Sequence, residues 1–223
     1  MAQLISDLRV ERVRANLGEV REDLAAAAAR AGRAPEEVEL LAASKYIAAA
    51  DLPLLAEAGV DLVGENRAQD LEAKVAAHGE LFTWDFIGAL QSRRVRTIVP
   101  HVRLIHSLAS DSALGELERH LELARPGLRV LIQVNIAGEP GKAGVAPEQL
   151  DGMIERSPVP VVGLMTMPPL SPNPEDNRRW FAALRELAAA KGLARLSMGT
   201  TQDYVIAVEE GATLVRIGTR LYR

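Results

Sequence analysis

The 223-residue sequence contains no cysteine. That absence excludes disulfides, thiolate metal sites, iron–sulfur clusters and a cysteine nucleophile. Long apolar runs are also missing: charge or Gly/Pro interrupts every stretch before it nears the roughly 18 residues of a transmembrane helix. The opening segment, Met1 to Leu17, carries Asp7 and has neither a basic start nor a continuous apolar core. It does not read as a signal peptide, so a cytoplasmic protein with no membrane partner is expected. No Walker loop, GxGxxG or Ser-His-Asp motif is present. The four histidines (His78, His101, His106, His120) lack metal-ligand spacing, so no metal is expected and they read as structural or exposed. A net charge of −4 argues against broad attraction to nucleic acid and favours a small-molecule partner.

What is present is a globular balance, 48% hydrophobic and 25% charged. Apolar residues at helical spacing run from Leu4 to Ala31, with Gly32 as the stop. Eight short apolar runs follow: Val38 to Ser44, Val60 to Val63, Phe82 to Ile87, Val102 to Leu108, Arg129 to Ile136, Val159 to Met165, Leu196 to Met198 and Leu214 to Ile217. Helical patterns separate them, among them Leu52 to Ala58, Ala68 to Ala77, Ser112 to Leu123, Pro147 to Arg156, Pro174 to Ala190 and Gln202 to Glu210. Strand and helix in alternation imply parallel pairing through right-handed crossovers. Eight such units predict one α/β domain over residues 1–223, a single (β/α)8 TIM barrel with an extra N-terminal helix. An open doubly wound sheet is the competing architecture. Too few residues follow the eighth run for a helix, so the N-terminal helix is expected to cover that strand instead. The Pro-rich stretch Pro168 to Pro174, after the sixth run, is expected to loop over the barrel mouth.

In a barrel the chemistry gathers where strands end. The chain has only four lysines (Lys45, Lys74, Lys142, Lys191), and Lys45 alone directly follows an apolar run. Desolvation at such a position disfavours the ammonium and leaves an amine able to bond a carbonyl. A snorkelling side chain or an ion pair with Glu65 is the alternative. A second constellation combines Arg216-Ile-Gly-Thr219 with the turn Ser197-Met-Gly-Thr200-Thr201. Glycine admits a phosphate close to backbone amides, the hydroxyls of Thr200 and Thr201 add donors, and a helix beginning near Gln202 would aim at the same place. An ordinary turn and cap is the alternative. The basic run Arg93, Arg94 and Arg96 reads as a solvated helix face or a contact to phosphate or a partner.

With these residues in view, the chain resembles the pyridoxal phosphate homeostasis proteins, relatives of the alanine racemase N-terminal barrel. The resemblance rests on Leu41-Ala-Ala-Ser-Lys45, Gly64-Glu-Asn66 with Gln69 and Lys74, and Phe86-Ile-Gly88 with Leu90-Gln91. It continues through Gln133-Val-Asn-Ile136 with Lys142 and Gly144, Gly163-Leu-Met165, Leu196-Ser-Met-Gly199 with Asp203, and Gly211-Ala-Thr-Leu-Val-Arg-Ile-Gly218. It implies an alanine racemase-like TIM barrel that binds pyridoxal 5′-phosphate as a Schiff base on Lys45. Arg216 would lie against the pyridine nitrogen and Asn66 beside the cofactor. Thr201, Gly218 and Thr219 would hold the phosphate, with Ser197 and Thr200 completing the binding set.

The resemblance further implies a carrier of the cofactor pool with no established catalysis, no catalytic residue, transient contact with apo-enzymes and a monomeric state. Several positions depart from the family pattern. Asp85 stands where histidine is usual, Arg93-Arg94 replace Asn-Lys, Val205 replaces an acidic residue, and the end reads Tyr222-Arg223 in place of Phe-Gly. Two alternatives remain: a weak amino-acid racemase, with Ser197 or Tyr46 as second proton carrier, and a Schiff-base aldolase acting on a phosphosugar.

Overall fold

The structure, a computed structural model, describes residues 4–223; of the opening segment, residues 1–3 lie outside the described residues. Eight parallel strands close into a barrel in sequence order, β1 pairing with both β2 and β8. They are β1 (Glu39–Ala43), β2 (Leu62–Glu65), β3 (Thr83–Phe86), β4 (Leu104–Leu108), β5 (Arg129–Gln133), β6 (Val161–Met165), β7 (Arg195–Thr200) and β8 (Leu214–Ile217). The helices are α1 (Val10–Arg30), α2 (Leu52–Glu57), α3 (Ala68–His78), α4 (Val95–Ile98), α5 (Asp111–Arg119), α6 (Leu150–Glu155), α7 (Arg178–Ala190), α8 (Tyr204–Glu209) and α9 (Thr219–Tyr222).

Alternation along the strands explains why the runs looked continuously apolar. Successive side chains point to opposite faces, and both faces of a barrel wall are buried. Leu41, Leu62, Leu104, Leu131, Met165 and Leu214 fill the lumen as one cluster. Their neighbours Ala42, Val63, Ile105, Val130, Ile132, Leu164 and Val215 pack outward in the larger cluster beneath the helices. The same parity turns Glu39, His106, Ser197 and Arg216 inward, each two residues from a lumen leucine or from another lumen position.

Two expectations at the ends need correction. Helix α1 begins at Val10, not Leu4. The preceding residues run beside the loop after β1, where the Ile5 backbone N–H donates to the Tyr46 carbonyl at 2.9 Å. A helix does follow β8: one turn, α9, fits into the remaining residues. As expected, α1 covers this end of the barrel by packing on α8 and α9. Asn16 Nδ2 on α1 donates to the carbonyls of Leu221 and Arg223 at 3.2 and 3.1 Å, which accounts for a buried polar residue on an otherwise apolar helix face.

Candidate functional site

Because all strands are parallel, their C-terminal ends share one mouth, and Lys45 stands there in a tight turn directly after β1 (Ser44–Tyr46). The turn is held at consecutive carbonyls. Buried Tyr222 donates its hydroxyl to the Ala43 carbonyl at 3.1 Å, and Lys74 Nζ donates to the Ser44 carbonyl at 2.8 Å. Burial pushes the Tyr222 phenol pKa up, with the Glu65 charge adding to the shift. The Ser44 hydroxyl bonds Glu65 Oε2 at 3.0 Å and the Gly64 carbonyl at 3.2 Å. The alternative reading of Lys45 as an ion pair with Glu65 is therefore not what forms: Glu65 pairs with Lys74 at 2.5 Å, both buried. From α3, Lys74 reaches back over the end of β2, whereas Lys45 is carried past it.

The Lys45 side chain is partly exposed, less enclosed than its strand-end position suggested, with Nζ 4.6 Å from the centroid of the Tyr46 ring. Asn66 follows on the next strand end. Glu65 Oε1 accepts the backbone N–H of Asn66 at 2.7 Å, while Asn66 Oδ1 is buried without a hydrogen-bond partner. The Asn66 carbonyl sits so close to Gly88 that a Cβ there would lie 2.0 Å from it, so only glycine fits after β3.

Arg216, next to β1 in register with Leu41, points into the lumen and is 6% exposed. Its NH1 donates to the Ser197 carbonyl at 2.9 Å and to Ser197 Oγ at 2.5 Å. Its NH2 donates to the Thr166 carbonyl at 3.1 Å and to Met167 Sδ at 2.9 Å. Among the described residues no carboxylate lies within ion-pair distance of this guanidinium. Burial pulls its pKa down to about 10, which still leaves it charged at neutral pH. Met167, directly before the Pro-rich segment, reaches Arg216 at the mouth, while Leu170 within that segment is 87% exposed.

The candidate phosphate residues divide into two groups. Gly218, Thr201 and Thr219 come together: the Gly218 N–H donates to Thr201 Oγ1 at 3.1 Å, and a Cβ at Gly218 would meet nothing nearer than Ala43 Cβ at 3.9 Å. The turn after β8 is thus uncrowded between the end of β1 and the turn after β7. Thr200 is engaged differently, because its N–H and hydroxyl both bond Asp203 Oδ1, at 2.7 and 3.1 Å. Asp203 is in turn held by Asn177 Nδ2 at 2.9 Å. Gly199, at φ +89°, makes the sharp bend. Helix α8 starts at Tyr204, two residues later than expected, and spans six residues. Any phosphate contact here would therefore rest on individual N–H and hydroxyl groups. Ser197 lies fully buried behind Arg216 and does not line the mouth itself.

Two lumen residues that the sequence reading named, Asp85 and His106, were given no part in the site there. His106 Nε2 lies 3.1 Å from Asp85 Oδ2, and its Nδ1 lies 2.8 Å from Ser197 Oγ. Both residues are fully buried, so His106 is a structural histidine, as one of the two sequence readings had it, with both ring nitrogens engaged behind Arg216. Burial lowers the His106 pKa more than the Asp85 carboxylate raises it. Asp85 also receives Arg103 Nε at 3.0 Å, and Arg103 clamps Glu39 at 3.1 and 2.8 Å on the barrel floor. A cavity of about 500 Å³ lies at that floor, beside Glu39 and Arg103 and remote from Lys45. At the mouth a smaller groove of about 190 Å³ joins Asn66 to Arg67, Gln91, Arg93 and Arg94, so that part of the basic run faces the site margin.

These residues fit a ligand with an aldehyde, an aromatic ring nitrogen and a phosphate. A buried guanidinium lacks a carboxylate, the Asn66 carboxamide oxygen is unpartnered, and the turn at Gly218 is uncrowded. Lys45 supplies the amine. No helix among the described residues is long and apolar enough to cross a membrane.

The chain is 40% identical over 217 residues to a pyridoxal phosphate homeostasis protein of Aquifex aeolicus, covering 92% of this chain and 95% of the relative. It is 38% identical to the Pseudomonas aeruginosa protein of that name, with 93% of each covered. No family model matches. Among solved structures, PipY of Synechococcus elongatus with pyridoxal phosphate bound superposes with a TM-score of 0.80 at 32% identity, over 95% of this chain and all of that one. Alanine racemase of Bartonella henselae shares the fold, with a TM-score of 0.70 at 17% identity, over 100% of this chain and 61% of the racemase.

Proposed function

The chain belongs to the pyridoxal phosphate homeostasis protein family, and on that premise we propose that it holds pyridoxal 5′-phosphate reversibly through Lys45 and buffers or hands on the cofactor without catalysing a reaction. The observation that carries this reading is the meeting, at one barrel mouth, of an accessible primary amine with a buried guanidinium that has no carboxylate partner. When bound, the cofactor supplies an aldehyde that an amine joins reversibly, a phosphate, and a ring nitrogen with a lone pair.

Lys45 offers its partly exposed amine on a turn whose backbone carbonyls are held by Tyr222 and Lys74. Arg216 carries donors and no acceptor. With NH1 and NH2 held by Ser197, Thr166 and Met167, it can only donate to a ring nitrogen. A nitrogen so bonded stays unprotonated and withdraws electrons weakly, which favours storage over carbanion chemistry. Thr201, Gly218 and Thr219 would take the phosphate, and Asn66 would use its free Oδ1 beside the ring. Thr200 would act by shaping the turn through Asp203, and Ser197 by setting Arg216 from behind.

Racemisation requires a second proton carrier opposite the amine. Ser197 is buried and its hydroxyl is engaged by His106 and Arg216, which removes one of the two candidates. We further propose that residues 1–223 act as one cytoplasmic, monomeric unit that meets apo-enzymes transiently. The test is to load the protein with pyridoxal 5′-phosphate, record the visible band, reduce with borohydride and map the adduct by peptide mass. Pyridoxyl mass on Lys45, and loss of the band in Lys45→Ala, are expected. An unmodified Lys45 in loaded protein overturns the assignment.

A further inference from the structure

We propose that Asp85, His106 and Ser197 form a positioning relay through the barrel lumen that fixes which way Arg216 directs its hydrogen bonds, leaving its Nε–H for a ligand at the mouth. The relay itself stands on the apo geometry; its purpose rests on the cofactor reading above.

Each link forces the next. Asp85 is an acceptor at both oxygens, taking Arg103 Nε on Oδ1 at 3.0 Å and Arg103 NH2 on Oδ2 at 3.3 Å. His106 Nε2, 3.1 Å from that same Oδ2, must therefore donate. The ring is then left with a lone pair on Nδ1. Ser197 Oγ, 2.8 Å from Nδ1, has one hydrogen and must place it there. With that hydrogen fixed, Oγ presents only lone pairs to Arg216 NH1 at 2.5 Å. The other NH1 hydrogen and both NH2 hydrogens go to Ser197 O, Thr166 O and Met167 Sδ. The four terminal hydrogens of the guanidinium are thus assigned by neighbours, and Nε–H remains.

A network serving only to pack the lumen would place its carboxylate on the buried cation. Here Asp85 stands three links away, bonded to Arg103, and Arg216 meets neutral acceptors alone. A carboxylate on Arg216 would hold the guanidinium as strongly, but it would also compete for the cation with any ligand acceptor. The relay orients Arg216 without neutralising it.

The test has one arm without cofactor and one with it. In the apo protein, nitrogen-15 spectra of the histidine ring should show His106 neutral at pH 7 to 8 with the proton on Nε2, and titrating below the ordinary histidine value. A proton on Nδ1, or ordinary titration, overturns the relay. In the loaded protein, Ser197→Ala and His106→Leu should weaken pyridoxal 5′-phosphate binding about tenfold, the scale of one hydrogen bond to a charged group. Both should shift the visible band relative to the wild type. His106→Gln, whose carboxamide can donate to Asp85 and accept from Ser197, should restore affinity to within about twofold and return the band. Rescue by Gln is not expected of a residue that only fills space.

Folded Ser197→Ala and His106→Leu proteins with wild-type affinity and an unshifted band sink the relay while leaving Lys45 as the cofactor lysine. If His106→Leu fails to fold, Ser197→Ala and the apo spectra decide. A wild type that takes up no cofactor sinks the storage function instead, and the apo spectra alone then judge the relay.

Discussion

The two rims of the barrel mouth are built on opposite plans. At the Lys45 rim, separate anchors act in parallel: Tyr222 on the Ala43 carbonyl, Lys74 on the Ser44 carbonyl, and the Ile5 N–H on the Tyr46 carbonyl. The backbone is over-determined and the amine at its tip is free. At the Arg216 rim, the order runs in series from Asp85 through His106 and Ser197 to the guanidinium, so each bond depends on the one before it. The group that must form a covalent bond stands partly exposed on a turn held at three backbone carbonyls. The group that must aim a single donor is locked. Parallel anchoring should tolerate the loss of one contact where a series does not.

The largest effect that would break this contrast lies in the parallel rim, for an electrostatic reason. Lys74→Met leaves the fully buried Glu65 carboxylate without its cation and should destabilise the protein by about 3–5 kcal/mol in urea unfolding. Adding Glu65→Gln should recover much of that loss, because the buried charge then disappears. If Lys74→Met instead costs under about 1 kcal/mol, Glu65 is not held in the fold as a buried charge that depends on Lys74.

Next in size is a pH effect confined to the series rim. Burial depresses the His106 pKa below the ordinary histidine value of about 6.5. The unfolded chain thus takes up a proton near pH 6.5 that the folded protein refuses until lower pH. This contribution is fully present above about 6.5 and is lost as pH falls below it, with a slope of at most about 1.4 kcal/mol per pH unit. Urea midpoints measured from pH 7.5 to 5 should fall in the wild type and fall less steeply in His106→Gln. Equal slopes would mean that His106 already carries its proton in the fold.

How much of this was legible beforehand follows from what each residue advertises. All eight strands were visible, because a wall buried on both faces leaves a short apolar run between helical stretches. Their ends were less so: β7 extends to Thr200 past the apolar run, since strand pairing and not hydrophobicity sets its limit. Lys45 and Arg216 could be found because they follow or close such runs. Asp85 and His106 were passed over because each sits singly inside a run, between Trp84 and Phe86 and between Ile105 and Ser107. A count by twos from the lumen leucine Leu104 reaches His106, so the signal existed for a reader who split each strand into its two faces. The Glu65 partner was different in kind. Lys45 and Lys74 were both within reach of that carboxylate in principle, and only the path of α3 back over β2 selects Lys74.

The smallest expected effect sharpens the contrast best. Tyr222→Phe removes one anchor from the Lys45 rim, a buried hydroxyl bonding the Ala43 carbonyl at 3.1 Å, and changes no charge. Its stability cost should be about 1 kcal/mol, as for one buried neutral hydrogen bond. Because Lys74, Ser44 and Ile5 still hold the turn, borohydride labelling of Lys45 should proceed at the wild-type rate once stability differences are removed by working far below the melting temperature. Ser197→Ala likewise deletes a single hydroxyl, yet it stands in the middle of a series and should change how Arg216 meets its ligand. If the two deletions alter cofactor binding equally, the difference between parallel and serial support is not functional. If only the serine change does, the mouth uses rigidity on one side to deliver an amine and directed hydrogen bonding on the other to receive a ring.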